Sequence, residues 1–198
     1  MTGIITTENR IANAPPGAYI YTDKYFQGVA HARNEVLNYL YNQGHEYIAL
    51  CDDDLIYNTD DAIQRVVEVM RKESIIYTCL PNVLDGHRKD INSNIEKWDS
   101  YIGAFYILHR SVLDEVGYFS SEFKGYGWED VHYKHRLRQK YGDIVSPKIL
   151  PYLISSMDVL GLNPTPSISN KEEQIELYRE VFLKEINNGQ IFYPYPNS

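Results

Sequence analysis

The sequence has no apolar run approaching the roughly 18 residues that would cross a bilayer. Met1 to Arg10 offers neither a basic leader nor a long apolar stretch, so no membrane span and no signal peptide are expected. Cysteine is scarce: Cys51 and Cys79 are the two in 198 residues, and both sit in apolar, strand-like runs. That excludes a disulfide scaffold and points to buried free thiols in a cytoplasmic protein. Positive charge is short too. Nineteen Lys and Arg face 27 Asp and Glu, a formal charge of −8. This balance argues against nucleic acid or an anionic membrane as partner, but admits an anionic ligand where a cation bridges the repulsion. Several motifs are missing. There is no GxxxxGK[ST] phosphate loop and no CxxC; His45–Glu46 lacks the second histidine of a zinc helix, and Gly125-x-Gly127 lacks the third glycine of a dinucleotide loop. His31, His45, His87 and His109 have no metal-ligand spacing to one another.

What is present is an alternation of short apolar runs with helical patterns, the signature of an α/β domain. Strands are expected at 3–7, 18–22, 47–51, 74–80, 101–108 and 149–154. Helices are expected at 31–43, from a Thr59 cap with Asp60 and Asp61 behind it, at 110–116, at 129–141, and after Asn170 with Glu173 completing a capping box. Tyr47–Cys51 (YIALC) is nearly all apolar, so it reads as a central strand buried on both faces. The stretch 85–99 is polar and without period, which predicts a mobile loop suited to a lid. Lys134, His135, Arg136, Arg138 and Lys140 read as a solvated helix face. Eighteen tyrosines suit sugar or base stacking as well as core filling.

Two acidic constellations stand out. Asp52–Asp53–Asp54 follows the central strand directly, at the end of a sheet where α/β proteins bind ligands. Three adjacent carboxylates repel one another without a cation, and hard oxygen donors suit Mg²⁺ or Mn²⁺. A solvated acidic turn is the plainer reading, but the preceding strand is too apolar for a surface edge. The second is Gly125–Tyr126–Gly127–Trp128–Glu129–Asp130. Its glycines allow close backbone approach, and its paired carboxylates open a helix, where one can orient a ligand and the other take a proton. The plainer reading there is two acids favoured at a helix N-terminus.

Together these residues resemble a known family. The aspartate run resembles the DxD motif of GT-A glycosyltransferases. Val116–Gly117–Tyr118–Phe119 followed by Phe123–Lys124–Gly125–Tyr126–Gly127–Trp128–Glu129–Asp130 resembles their acceptor-side motif, closest to the GWGxED form of β-1,4-galactosyltransferases and family-2-like enzymes. Thr7–Glu8–Asn9–Arg10 resembles the TYNR ending of the family's first strand, and Gly28 to Asn34 resembles its GxxxARN helix start. The likeness runs from about residue 3 to about residue 160.

The resemblance implies a single GT-A (Rossmann-like) domain over 1–198, with a mixed, mostly parallel central sheet flanked by helices. Its nucleotide-sugar half would be about 1–80, its acceptor half about 81–160, with a C-terminal helix and tail over 161–198. It implies inverting transfer of a hexose from a UDP-sugar to a carbohydrate or other hydroxyl, with Mn²⁺ or Mg²⁺. Carried over, Asp130 is the general base and Glu129 holds sugar hydroxyls. Asp54 is the metal ligand, Asp52 supports the metal or ribose with Asp53, and Trp128 stacks on the sugar. Thr6, Glu8, Arg10, Asp23 and Arg33 lie on the donor side. Only about eight residues separate Arg10 from the next strand, where the family has a helix, so the fold is expected to be reduced. The family's downstream metal histidine has no counterpart after His135; Asp158 is the expected substitute, with His132 second. The competing readings are a non-catalytic sugar or nucleotide-sugar module on the same fold, and a DxD phosphatase, whose later Lys and acidic pair the chain does not supply.

Overall fold

A computed structural model of the chain describes residues 1–7, 10, 12–125, 127–156 and 171–196. Five strands make the central sheet: β1 (Thr2–Thr7), β2 (Tyr19–Asp23), β3 (Tyr47–Asp52), β5 (Tyr77–Pro81) and β8 (Tyr101–His109), in the order β2-β1-β3-β8-β5. β1 is parallel to β2 and β3, whereas β8 is antiparallel to both β3 and β5, so four strands share one direction and β8 opposes them. The fold is therefore the expected α/β type with a mixed, mostly parallel sheet.

The sheet is buried on both faces because β3 and β8 run through long apolar stretches, Tyr47–Cys51 and Tyr101–Leu108. In β3, Ile48 and Leu50 enter one core while Tyr47, Ala49 and Cys51 enter the other. β8 splits likewise, with Tyr106 and Leu108 on one side and Phe105 and Ile107 on the other. The first core is closed by α1 (Val29–Asn42), through Val36, Leu37 and Leu40, and by α4 (Glu129–Tyr141), through Tyr133 and Leu137. The second is closed by α2 (Ala62–Lys72), through Ile63, Val66 and Met70. Each fully buried aliphatic side chain contributes about 1.5–3 kcal/mol of transfer free energy. Cys51 and Cys79 are buried free thiols, as expected.

Four expectations change. The 85–99 stretch is a hairpin rather than a loop: β6 (Arg88–Asp90) pairs antiparallel with β7 (Ile95–Trp98), which in turn pairs with β9 (Ser146–Pro147). All three β6 residues are exposed, so no apolar alternation marked it. Its turn is tied down where Asn92 and Asn94 donate to Glu73 at 2.9 and 2.5 Å. Residues 149–154 are not one strand. Pro151, tolerated in a first helical turn, lies in α5 (Leu150–Leu153), and β10 (Ile154–Ser156) then pairs antiparallel with β4 (Leu55–Tyr57). Thr59 does not cap α2 with its side chain; Asp61 holds the cap position, and Thr59 supplies only a carbonyl to the Ala62 amide at 3.2 Å.

The basic face of α4 is solvated only in part: Arg138 and Lys140 are exposed, but Lys134 and Arg136 are buried. Arg136 is buried and donates to the carbonyls of Val116, Ile191 and Tyr118 at 2.8, 3.0 and 2.6 Å. That fastens the loop after α3 (Ser111–Glu115) and the C-terminal tail to α4. The final helix, α6 (Lys171–Asn187), packs Tyr178, Val181 and Phe182 against the first core. The Asn170 cap lies outside the described residues. Among the described residues, no helix is long and apolar enough to cross a membrane.

Candidate functional site

The carboxyl end of β3 and the amino end of α4 open onto one cleft of about 340 Å³. Asp52 and Asp54 line it from the strand side, and Glu129 and Asp130 from the helix side. Trp128, Gly103 of β8 and Ile175 of α6 complete its walls. The two acidic motifs, 75 residues apart and more, thus meet at one place, as the sequence led one to expect.

Local geometry explains how. Gly127 has φ +102° and Trp128 has φ +68°, a left-handed pair directly before α4. A left-handed tryptophan carries strain of about 1–3 kcal/mol, a cost concentrated at functional turns. The turn sets both acids at the first helical positions, with the Asp130 side chain against Gly103 of β8. Gly103 makes the approach feasible: a Cβ there would lie 2.2 Å from Asp130 Oδ2 and 2.6 Å from its Cβ. Gly103 was not singled out from the sequence, although a glycine inside an aromatic, apolar strand is itself a signal of close approach.

Arg33 joins the motifs. It is buried, and its guanidinium lies 3.1 Å from Asp52 and 3.2 Å from Glu129 while also donating to the Gly103 carbonyl at 2.9 Å. Burial works against its charge, but the two carboxylates outweigh that and raise its pKa. Burial pushes Asp52 up to about 6, with Arg33 opposing and Asp54 adding to the rise. Burial also raises Glu129, again against Arg33. Its Oε2 is buried without a hydrogen-bond partner among the described residues. Asp130 goes the other way. Burial acts upward on it, but Lys134 at 2.8 Å, helped by Arg33, holds it below the usual carboxylate range.

The remaining predicted residues fall into three groups. Asp53 turns away from the cleft lining. It accepts from Thr6 Oγ1 at 2.6 Å and pairs with Arg10 at 2.8 Å, so these three residues knit the ends of β1 and β3 together. Asp23 is buried and accepts the Gln27 and Gly28 amides at 3.1 and 3.2 Å, fixing the entry to α1. His132 is not brought to the cleft; it sits among the rings of Phe123, Phe182 and Tyr193, and burial pushes it down to about 3. Glu8 and Asp158 lie outside the described residues. Lys134, read as solvated, is instead a buried partner of Asp130.

The donor set suits a divalent cation in a shared site. Asp52 and Asp54 are hard oxygen donors on one wall, and magnesium-type sites commonly combine one or two carboxylates with substrate phosphates and water. Among the described residues, no three His, Cys, Asp or Glu side chains converge on one cation position.

Comparison with known proteins identifies the chain. No curated protein matches it in sequence. Solved structures with similar folds include a STIV protein at 18% identity, covering 57% of this chain and 66% of that one, with a TM-score of 0.40. A mannose-1-phosphate geranyltransferase from Thermus thermophilus matches at 9% identity over 51% of this chain and 39% of that one, TM-score 0.38. A Drosophila β-1,4-galactosyltransferase 7 mutant, complexed with manganese, UDP-Gal and xylobiose, matches at 13% identity over 87% and 79%, TM-score 0.45. The chain thus spans just under two thirds of the first of these proteins and about two fifths of the second. The family model for glycosyl transferase family 2 matches residues 7–131, from the end of β1 through the Glu129–Asp130 pair. That is well over half of the sequence, and the chain belongs to glycosyl transferase family 2.

Proposed function

We propose that the chain moves a hexose from a UDP-sugar to an acceptor hydroxyl with inversion, using Mn²⁺ or Mg²⁺. The observation that supports this best is the convergence of Asp52, Asp54, Glu129 and Asp130 on one cleft in a member of this family. On this reading the donor half is about residues 1–80 and the acceptor half about 81–160. Asp54 and Asp52 would hold the cation on the donor side of the cleft. A bound divalent cation would offset the charge that develops on the departing diphosphate.

The residues divide the remaining work. Asp130 takes the proton from the acceptor hydroxyl. Its carboxylate is the more open of the pair, with 21% of the side chain exposed against 6% for Glu129, and Lys134 keeps it ionised, as a base must be at the start. Glu129, fixed by Arg33 and buried, holds a sugar hydroxyl with its unpartnered Oε2. Trp128, on the cleft wall and braced by Phe182 at 5.0 Å, offers a ring face to the sugar. Thr6, Arg10, Asp53 and Asp23 shape the nucleoside end. Arg33 positions Asp52 and Glu129.

The test is nucleotide release with Mn²⁺ across a panel of UDP-sugars, with and without simple sugar acceptors. Acceptor-dependent release with at least one donor is expected. Asp130→Asn should lower it roughly 10²-fold or more, the usual worth of a positioned base. Release that ignores the acceptor, or that survives Asp130→Asn unchanged, would count against the assignment.

A further inference from the structure

Besides Glu129 Oε2, two further buried polar atoms of cleft-lining residues have no hydrogen-bond partner among the described residues: Arg33 Nε and the Ser156 hydroxyl. Ser156 is 2% exposed and lies on the cleft wall shared with Asp52 and Asp54. Its position follows from strand register. β10 pairs antiparallel with β4, and Ser156 lies opposite Leu55, the residue after Asp54. Side chains alternate along a strand, so Ser156 shares the inward face with Ile154. Ile154 is fully buried in the second core. At Ser156 that inward row passes from apolar core to acidic cleft. A valine or alanine would suit the packing. A buried hydroxyl with nothing to bond is disfavoured, and native structures rarely leave one.

We propose that the Ser156 hydroxyl donates a hydrogen bond to an oxygen of the donor's diphosphate. The inference rests on the nucleotide-sugar reading above and adds a residue to it. Its logic is electrostatic. Four carboxylates line the cleft, so an anionic diphosphate needs donors that bring no further negative charge. The terminal nitrogens of Arg33 are already committed to Asp52, Glu129 and the Gly103 carbonyl, with its Nε buried and unpartnered among the described residues, and the Lys134 ammonium is committed to Asp130 and the Tyr101 carbonyl. Ser156 is a neutral donor beside the expected cation ligands. Among the described residues its hydroxyl hydrogen has no acceptor to give up when ligand enters.

The test compares the unaltered protein with Ser156→Ala and with Ser155→Ala, a neighbour on the opposite face of β10. Titration calorimetry in Mn²⁺ would use UDP, with GDP and CDP as alternatives, and thermal unfolding would be followed without ligand. Ser156→Ala should bind the preferred nucleoside diphosphate about tenfold more weakly or worse, the low end for a hydrogen bond to a charged acceptor. Its ligand-free melting temperature should be equal or higher, because no internal bond is lost. Ser155→Ala should bind as the unaltered protein does. Affinity of Ser156→Ala within twofold of the unaltered protein overturns the Ser156 assignment alone. So does a lowered melting temperature, since the hydroxyl would then be satisfied within the fold or by a structural water. Failure of the unaltered protein to bind any of the three nucleotides overturns the nucleotide-sugar reading first, and this inference with it.

Discussion

Removing the Arg33 guanidinium should expose how much of the site is held by charge. Arg33→Met keeps length and apolar packing but leaves Asp52 and Glu129 facing each other in a largely dry cleft. At 3.1 and 3.2 Å, and with an effective dielectric near 20, each contact is worth about 5 kcal/mol of Coulomb energy before desolvation. Desolvation of the guanidinium cancels much of this, and Asp52 retains 29% side-chain exposure, so solvent screens its share. Stripping one partner from a buried pair costs about 3–5 kcal/mol in net stability, and that range is expected here. Urea denaturation of Arg33→Met against the unaltered protein measures it. The sign of the pH dependence is a second, independent readout. Burial already raises both carboxylates, and Arg33 opposes that rise. Without Arg33 both move further above their unfolded values, so folding releases less stability at pH 8 and regains it as protons bind on going down to pH 5. Arg33→Met combined with Glu129→Gln should recover part of the loss at pH 8. A penalty below about 1 kcal/mol, or one that does not shrink as pH falls, refutes the reasoning.

Three further outcomes follow from the same geometry. Excess chelator should abolish turnover and Mn²⁺ restore it, and Asp54→Asn should lose the melting-temperature rise that Mn²⁺ plus UDP produces; full turnover in chelator would rule out the metal reading. Gly103→Ala must displace the whole Asp130 side chain, since the new Cβ would meet three of its atoms within 2.6 Å; it should lose about 1–3 kcal/mol from overpacking and more activity than nucleotide affinity, as separate kinetic and binding measurements would reveal. His132, pushed down to about 3 by burial, takes up a proton more readily when unfolded, so its contribution to stability is full above pH 6.5 and drains away toward pH 3. Between pH 7 and 5 this amounts to ~2 kcal/mol, and a His132→Phe variant should show a correspondingly flatter pH profile of urea midpoints.

The chain's own patterns made much of this legible, and the exceptions share a cause. β3 and β8 declare themselves because strands buried on both faces leave nothing polar in the run, and Asp52–Asp54 is conspicuous for interrupting one. The Glu129–Asp130 pair is legible because glycines and a helix start surround it. β6 hid because an exposed strand has no apolar face to show. Arg136 and Lys134 misled for the converse reason. Their charges are satisfied by carbonyls and by Asp130, and no sequence period distinguishes a cation bonded inside from one hydrated outside. Arg33 and Ser156 depended on contacts across long separations. Arg33 meets Glu129 96 positions away, and Ser156 reaches the cleft that Asp52 and Asp54 line through a strand pairing that the sequence disguised with Pro151.

That long-range wiring also accounts for how two adjacent acids come to differ. Glu129 and Asp130 share a helix start, a cleft and a macrodipole, so none of these separates them. About 100° of helical rotation does. It turns Glu129 toward Arg33, where the side chain is buried and, among the described residues, one oxygen finds a guanidinium and the other no hydrogen-bond partner. It turns Asp130 along its own helix toward Lys134, one turn on, and against the bare backbone of Gly103. Burial then wins at Glu129 and favours its neutral form, while the ammonium wins at Asp130 and favours its anion. Pairs of carboxylates whose surroundings drive their proton affinities apart are the physical basis for dividing acid, base and binding roles. Here the divergence is set by which cation each acid reaches: Arg33 from α1, buried between the motifs, or Lys134 from within α4. Exchanging the order of the two acids would put the shorter side chain beyond reach of Arg33 and the longer one against Gly103. The Glu-then-Asp sequence is therefore a requirement of packing as much as of chemistry.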